Sequence, residues 1–357
     1  MVRLKKVLSI AVVACLMMTM LVGCGNKTET PAAGGDDPVG DPIVLKVAHH
    51  EPAASDFNKA WEEFAKQLEE KTNGQCKLEL YPAEQLGKGA DMVSMVTNNI
   101  TDIGWIVAAF FPGQFPVTEV LNLPMLGVPN SVTASKSLWQ LYGENEDMQK
   151  EWAQGMHLIT FSASGSQFLA TKDKKVVVPD DAKGLKIRVA GSMPSRFIEA
   201  IGASPVSMPP PDMYEALDKG VIDGAGADWN MINSFKFKDV LKYAMDMPLV
   251  SVPHGIVMNQ QVWDGLPDDI KKAFDELGGE AGTQLFGGAF DNSEEAITKD
   301  FLSVDGREVV AISDADQAKW QEAAKPVWDE WIANSDKLGL DGKAILEKFQ
   351  GFVKANS

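Results

Sequence analysis

The chain has 357 residues, 45% of them hydrophobic, with 50 acidic against 33 basic residues and a net charge of −17. A chain this acidic excludes a surface built for nucleic acid or for attraction to anionic lipid. Three cysteines over this length exclude a disulfide-stapled scaffold.

Residues 1–23 begin with Arg3, Lys5 and Lys6, continue as an apolar run to Val22 and end on Gly23. This is the pattern of an export signal. The run is short for a membrane span and has no charged flank on its far side. Its removal takes away three cations and no acid, so the mature charge is −17 − 3 = −20. The sequence LVGC resembles a lipobox and predicts that Cys24 carries lipid as the first mature residue. The alternative is an ordinary signal peptide that contains a cysteine. Residues 24–41, rich in Gly, Pro, Thr and Asp, predict a flexible tether. Cys15 leaves with the signal, so Cys76 has no partner within the chain and reads as a buried thiol. The remaining 357 − 41 = 316 residues exceed the usual extent of one compact core and predict two domains.

IVLKVAHH (43–50) predicts a strand, and Ser55 caps a helix with Phe57, Ala60, Trp61, Phe64, Ala65 and Leu68 on one face. A turn at Asn73-Gly74-Gln75 leads to the strand CKLELYP. LGKGADMVSMVTNN then predicts a helix and DIGWI a strand. This β-α-β-α-β order implies a mostly parallel sheet. The pattern restarts with strands HLITFSA and GLKIRVA, helix MPSRFIEAIG, strand SPVSM, helix PPDMYEALDKG and strand IDGAGAD. Two like α/β units in series follow, without a visible repeat. The rest is predicted mostly helical. Trp320, Trp328 and Trp331 lie near one face of its last long stretch, a stripe that predicts core rather than a ligand box.

No H-E-x-x-H, G-x-S-x-G, C-x-x-C or complete P-loop occurs. His49 and His50 point to opposite faces of their strand and cannot easily chelate one metal. Neither a nucleophile with its base nor a metal set is visible, so the reading is a binding protein, without cofactor or metal, and not an enzyme.

Only four residues are Arg, and Arg188 and Arg196 lie within nine residues of each other. In KIRV, Ile187 and Val189 face one side and Arg188 the other. Arg188 is therefore either a structural ion pair, an exposed edge, or a fork for a carboxylate, which a guanidinium grips with two parallel bonds. Arg196, among polar neighbours on the next helix, predicts a solvated face.

Several stretches resemble the solute receptors of tripartite ATP-independent periplasmic (TRAP) transporters, the DctP-type family. They are WEEFAKQLEEKTNGQCKLELYPAEQLG (61–87), DIGW (102–105), FFPGQFPVTEVLNLPML (110–126), VVVPDDAKGLKIRVAGS (176–192), MPPPDMYEALDKGVIDGAGADW (208–229) and SFKFKDVLKY (234–243). The resemblance covers nearly all of the mature chain. It implies an α/β fold, a two-lobed periplasmic-binding-protein-like clamp with hinge strands and a long connecting helix. Residues 42–165 and 254–293 would form the first lobe, and 166–253 and 294–357 the second.

The resemblance also implies that Arg188 binds the carboxylate of a small organic acid, delivered to an ion-gradient-driven membrane permease. Many members carry a second Arg where Gln167 stands, which argues here for a monocarboxylate. After Asp223-Gly224, members that take polar sugars often carry Glu-Asn. Gly226, Ala227, Asp228 and Trp229 stand here instead and imply an apolar or aromatic wall with Trp229 as a stacking residue. Trp105 and His50, at strand ends of the first lobe, are either ligand contacts or core. The implied protein is lipid-anchored and extracytoplasmic. An ABC-type receptor or a sensor for a signalling partner are the alternative readings.

Overall fold

The computed structural model describes residues 41–357. The expected signal peptide, the lipidation at Cys24 and the tether up to residue 40 lie outside them. Strand β1 (Ile43–Ala48) leads to helix α1 (Asp56–Lys71) and strand β2 (Cys76–Tyr81). The Ser55 hydroxyl accepts from the Asn58 N–H at 3.1 Å, satisfying an otherwise orphaned donor at the start of α1. Phe57, Trp61, Phe64 and Leu68 bury the predicted face of that helix. Helix α2 (Met92–Thr97) is shorter than predicted, because residues 89–91 form a 3-10 turn before it. Strand β3 (Ile103–Val107), helices α3 (Ser131–Glu144) and α4 (Glu146–Trp152) and strand β4 (Met156–Ala163) follow.

The next elements are β5 (Phe168–Thr171), β6 (Lys186–Arg188), α5 (Ser192–Ala200), β7 (Ser204–Val206), α6 (Pro210–Asp218) and β8 (Gly224–Ala227). Helix α7 (Trp229–Ser234), β9 (Tyr243–Asp246) and β10 (Pro253–Asn259) return the chain. Helices α8 (Gln260–Gly265), α9 (Asp268–Leu277), α10 (Gly279–Asp291) and α11 (Glu294–Leu302) precede β11 (Glu308–Ala311). The long α12 (Asp314–Lys337) and α13 (Gly342–Asn356) complete the fold.

The strands form two sheets, one lobe around each, in the orders β2-β1-β3-β10-β4 and β11-β9-β5-β8-β6-β7. The neighbours of β1 and of β6 are parallel, as the β-α-β reading expects. β10 instead runs antiparallel between β3 and β4, and β5 antiparallel to both β8 and β9. The cause is the path of the chain. It leaves the first sheet through β4 into β5 and returns through β9 into β10, so the two crossings run in opposite directions. They are bonded to each other: Gln167 N–H donates to Val250 O at 2.7 Å, Leu249 N–H to Gln167 O at 2.8 Å and Ser164 N–H to Val252 O at 2.9 Å. A third crossing is the short step from α10 to α11.

Trp320 and Trp331 are buried core, and the Trp328 N–H donates to Pro124 O at 2.7 Å. Helix α12 packs on α5, whereas α13 packs on α3. The Asn356 amide donates to Ser137 Oγ at 3.1 Å and to Gln140 Oε1 at 2.9 Å. The last helix therefore touches the first lobe, although the sequence division groups 294–357 with the second. Cys76 is free and fully buried, and burial pushes its thiol up to about 12. Arg196 is exposed and pairs with Glu199 and, at 3.2 Å, with Glu330.

Candidate functional site

A cavity lies between the two sheets. The first lobe contributes His50, Glu51, Trp105, Phe110 and His254 to its wall, and the second contributes Arg188, Asp228 and Met231. Gln167, Ser164 and Val252 enter it from the crossing strands.

Arg188 reaches the cavity by strand alternation: Ile187 is buried on the other side of β6. The residue is 1% exposed. Nε donates to Met208 O at 2.8 Å, and one terminal nitrogen, Nη1, is buried with no partner. Burial lowers its pKa to about 10, while Asp228 acts in the opposite sense, so it stays charged near neutrality. Among the described residues, Arg188 is the one Lys or Arg side chain in the wall. Asp228 caps α7, accepting from the Met231 N–H at 2.8 Å. Burial raises its carboxyl to about 6, against the hydrogen bonds from Met231 and Gln167 that favour the carboxylate.

On the opposite wall, His49 and His50 part as the strand pleat requires. His49 turns away to within 3.2 Å of Asn58 Oδ1, and His50 faces the cavity. Burial keeps His50 neutral, with a pKa down to about 3, and pushes His254 well below the ordinary range. Burial, with Asp228 adding to it, raises Glu51 to about 8. Trp105 is covered by His50, ring centroids 4.6 Å apart, and by Phe57 at 4.2 Å. Its N–H donates to Ser162 Oγ at 3.3 Å.

Four residues singled out from the sequence thus line one cavity: Arg188, Gln167, Trp105 and His50. Two do not. Trp229 sits at the first turn of α7 with its ring between Phe168, at 4.8 Å, and Phe301, at 5.4 Å, and belongs to the core behind the cavity. Ala227 is buried in the same core. The expected stacking face on Trp229 is absent because α7 turns its neighbours Asp228, Asn230 and Met231 to the cavity instead. Glu51, Asp228, His254 and Phe290 were not singled out. The strand-end signal that pointed to His50 applies equally to Glu51. Nothing local marks His254, which the topology brings beside Trp105, 4.6 Å between ring centroids, from far along the chain.

Two α/β lobes, joined by paired crossing strands and facing each other across a cavity with inward-facing polar groups, define a solute-binding clamp. The family model described as "Bacterial extracellular solute-binding protein, family 7" matches residues 47–335. The chain belongs to that family, the DctP-type receptors of TRAP transporters. It is 27% identical over 311 residues to the C4-dicarboxylate-binding periplasmic protein DctP of Rhodobacter capsulatus, covering 86% of this chain and 91% of that one. A marine metagenome TRAP solute-binding protein specific for aromatic acid ligands, solved with metahydroxyphenylacetate, superposes with a TM-score of 0.83 at 27% identity over 88% of this chain and 99% of its own. A TRAP periplasmic solute-binding protein of Bordetella bronchiseptica with bound (R)- and (S)-mandelate gives a TM-score of 0.82 at 27% identity, over 88% and 100%.

Proposed function

We propose that this receptor binds a small monocarboxylic acid with an apolar or aromatic body and hands it to a membrane permease driven by an ion gradient. The observation that carries the reading is Arg188, a buried guanidinium whose Nη1 has no partner in the cavity wall. Such a group is costly unless a ligand completes it, and a carboxylate does so with two parallel bonds. One cation matches one carboxylate. A second carboxylate would meet the Asp228 carboxylate, which repels it, and no second cation. That separates this chain from a dicarboxylate receptor. Phe110, Phe290, Val107 and Val252 supply an apolar wall for the ligand's body. The two solved relatives at 27% identity, one with metahydroxyphenylacetate and one with mandelate, agree with such a body. Gln167, His50 and Trp105 act as wall contacts, and Ala227 and Trp229 support the wall from behind.

A thermal-shift panel of benzoate, mandelate, succinate and malate tests the reading, because a ligand that binds only the folded state raises Tm. The aromatic monocarboxylates are expected to give the larger shifts. Arg188→Lys keeps the charge and loses the fork, so affinity is expected to fall about 10- to 150-fold. A preference for succinate or malate, or wild-type affinity in Arg188→Lys, overturns the assignment.

Lipid at Cys24 anchors the receptor outside the cytoplasm in this reading, supported by the LVGC sequence and the polar tether behind it. Cells expressing Cys24→Ala should then fail to incorporate a labelled fatty acid into the protein, and equal labelling of both forms removes the anchor.

A further inference from the structure

Two polar groups of the first lobe, Glu51 and His254, bond nothing in the carboxylate reading. Glu51 is 4% exposed, with Oε2 buried and unpartnered and Oε1 3.9 Å from His50 Nε2. His254 is 4% exposed, and its Nδ1 is likewise buried without a partner. Both side chains line the cavity and come from the lobe that does not carry Arg188. A buried polar atom without a partner costs free energy, and a cavity that gathers several of them is incomplete until something supplies the missing bonds. We propose that Glu51 and His254 form a second polar subsite that binds an uncharged hydroxyl group on the ligand, so that the receptor selects hydroxylated aromatic monocarboxylic acids over their unsubstituted parents. The proposal rests on the carboxylate reading of Arg188, which fixes the other end of the ligand.

Three features favour a hydroxyl. First, the groups facing the subsite are Glu51, His50, His254, Asp228 and Arg188. A second anion there meets the Asp228 carboxylate, and Arg188 is already taken by the first. Second, an ammonium group would need Glu51 ionised beside Asp228, two carboxylates in one buried cavity, which like-charge repulsion disfavours. Burial and Asp228 already hold the Glu51 proton in place. Third, a hydroxyl both donates and accepts. It can therefore satisfy a protonated carboxyl and a neutral imidazole together, the imidazole taking whichever tautomer fits. A ligand held by Arg188 at one end and Glu51 at the other also ties the two lobes together.

The test is calorimetric titration of the purified receptor with benzoate, with 2-, 3- and 4-hydroxybenzoate and with 3-(aminomethyl)benzoate. At least one hydroxybenzoate is expected to bind about 10- to 100-fold tighter than benzoate, since a site that hydrogen-bonds a ligand hydroxyl rejects the analogue lacking it. The ratio should collapse toward one in Glu51→Ala and persist in Glu51→Gln, whose neutral amide retains a donor and an acceptor. Circular dichroism of both variants establishes that they fold, and persistence of the preference in folded Glu51→Ala overturns the assignment. Equal wild-type affinities for benzoate and every hydroxybenzoate, all lost in Arg188→Ala, sink the subsite and leave the carboxylate reading standing. Tightest binding of the aminomethyl acid, lost in Glu51→Gln, would make the subsite cationic and overturn the hydroxyl. Binding of none of the five takes down this proposal and the aromatic part of the carboxylate reading together.

Discussion

At the scale of single residues, burial sets the charge states of the cavity and gives the ligand-free protein a testable pH dependence. Glu51 holds its proton to about pH 8 in the folded chain, against an ordinary value of 4.5. Between those limits the folded state binds the extra proton, so raising the pH costs stability. Glu151, raised to about 7 by burial although Val117, Thr118 and the Thr118 hydroxyl hydrogen-bond to it, and Asp228, raised to about 6, act in the same sense but finish earlier. The buried histidines act oppositely: His49 and His50, lowered to about 4 and 3, stabilise above 6.5 and lose that contribution as pH falls. From pH 7 to 8 Glu51 is the largest single contributor, with Glu151 finishing its titration in the same sense and the histidines offsetting part of both. The unfolding free energy without ligand is expected to fall by about 1 kcal/mol per pH unit there. Urea titrations at a series of pH values should show the slope, and Glu51→Gln should flatten it. An equal slope in both forms would remove the buried, protonated Glu51. What the sequence revealed at this scale was residue type. The scarcity of Arg pointed to Arg188, and strand alternation gave it a direction. Trp229 was misdirected because a residue at a helix start can face either way, and only packing against Phe168 and Phe301 decides.

At the scale of elements, α1, β1, β2, β3, α5 and α6 were legible because each carries its own apolar period and its own cap or turn. The crossing strands were not. β5 and β10 are buried along their whole length, so they show no alternation, and their antiparallel setting follows from a chain path that no local pattern encodes. β10 is also where packing leaves least room. Gly255 lies against the ring of Trp152, and a Cβ there would meet ring atoms at 2.1 to 2.8 Å. The ring cannot easily yield, because it stacks on Phe115 with centroids 4.3 Å apart and donates through Nε1 to Thr118 Oγ1 at 2.9 Å. Gly255→Ala is expected to destabilise by about 3 kcal/mol, at the upper end for overpacked cores. Gly351, in α13 with open space around it, is the control. Ala there should gain about 0.5–1 kcal/mol, since glycine is costly in a helix. Urea midpoints measure both, and wild-type stability in Gly255→Ala would show that β10 does not press on Trp152.

At the scale of the whole molecule, the arrangement of the lobes makes binding and closure one equilibrium. The two-lobed plan was legible from length and from the restart of the α/β pattern. The contacts that cross between lobes were not, because each joins residues far apart in sequence. Arg188 faces the cavity from the second lobe and Glu51 and His254 from the first, so a ligand touching both favours the closed form. The protein also has a contact between lobes that does not involve the cavity wall: the Ser192 hydroxyl, at the start of α5, bonds to the Glu119 carboxylate. Glu119 lies in the 3-10 turn Thr118–Asn122 of the first lobe. Burial raises its pKa, and the Ser192 bond opposes that rise. This contact favours closure whether or not ligand is present. Glu119→Ala should therefore shift the ligand-free population toward open forms. A single hydrogen bond contributes about 1 kcal/mol, which is about a fivefold change in the open-to-closed ratio. Where the closed form is the minor one, apparent affinity should fall by up to the same factor, and equally for every ligand, since the side chain touches none of them. Small-angle scattering supplies the independent readout. The ligand-free variant is expected to have a larger radius of gyration than the wild type, and saturating ligand should bring both to one compact value. A variant whose ligand-free radius and affinities all match the wild type would show that Glu119 does not contribute to closure. A wild type that fails to compact with calorimetrically confirmed ligand would count against a moving clamp altogether.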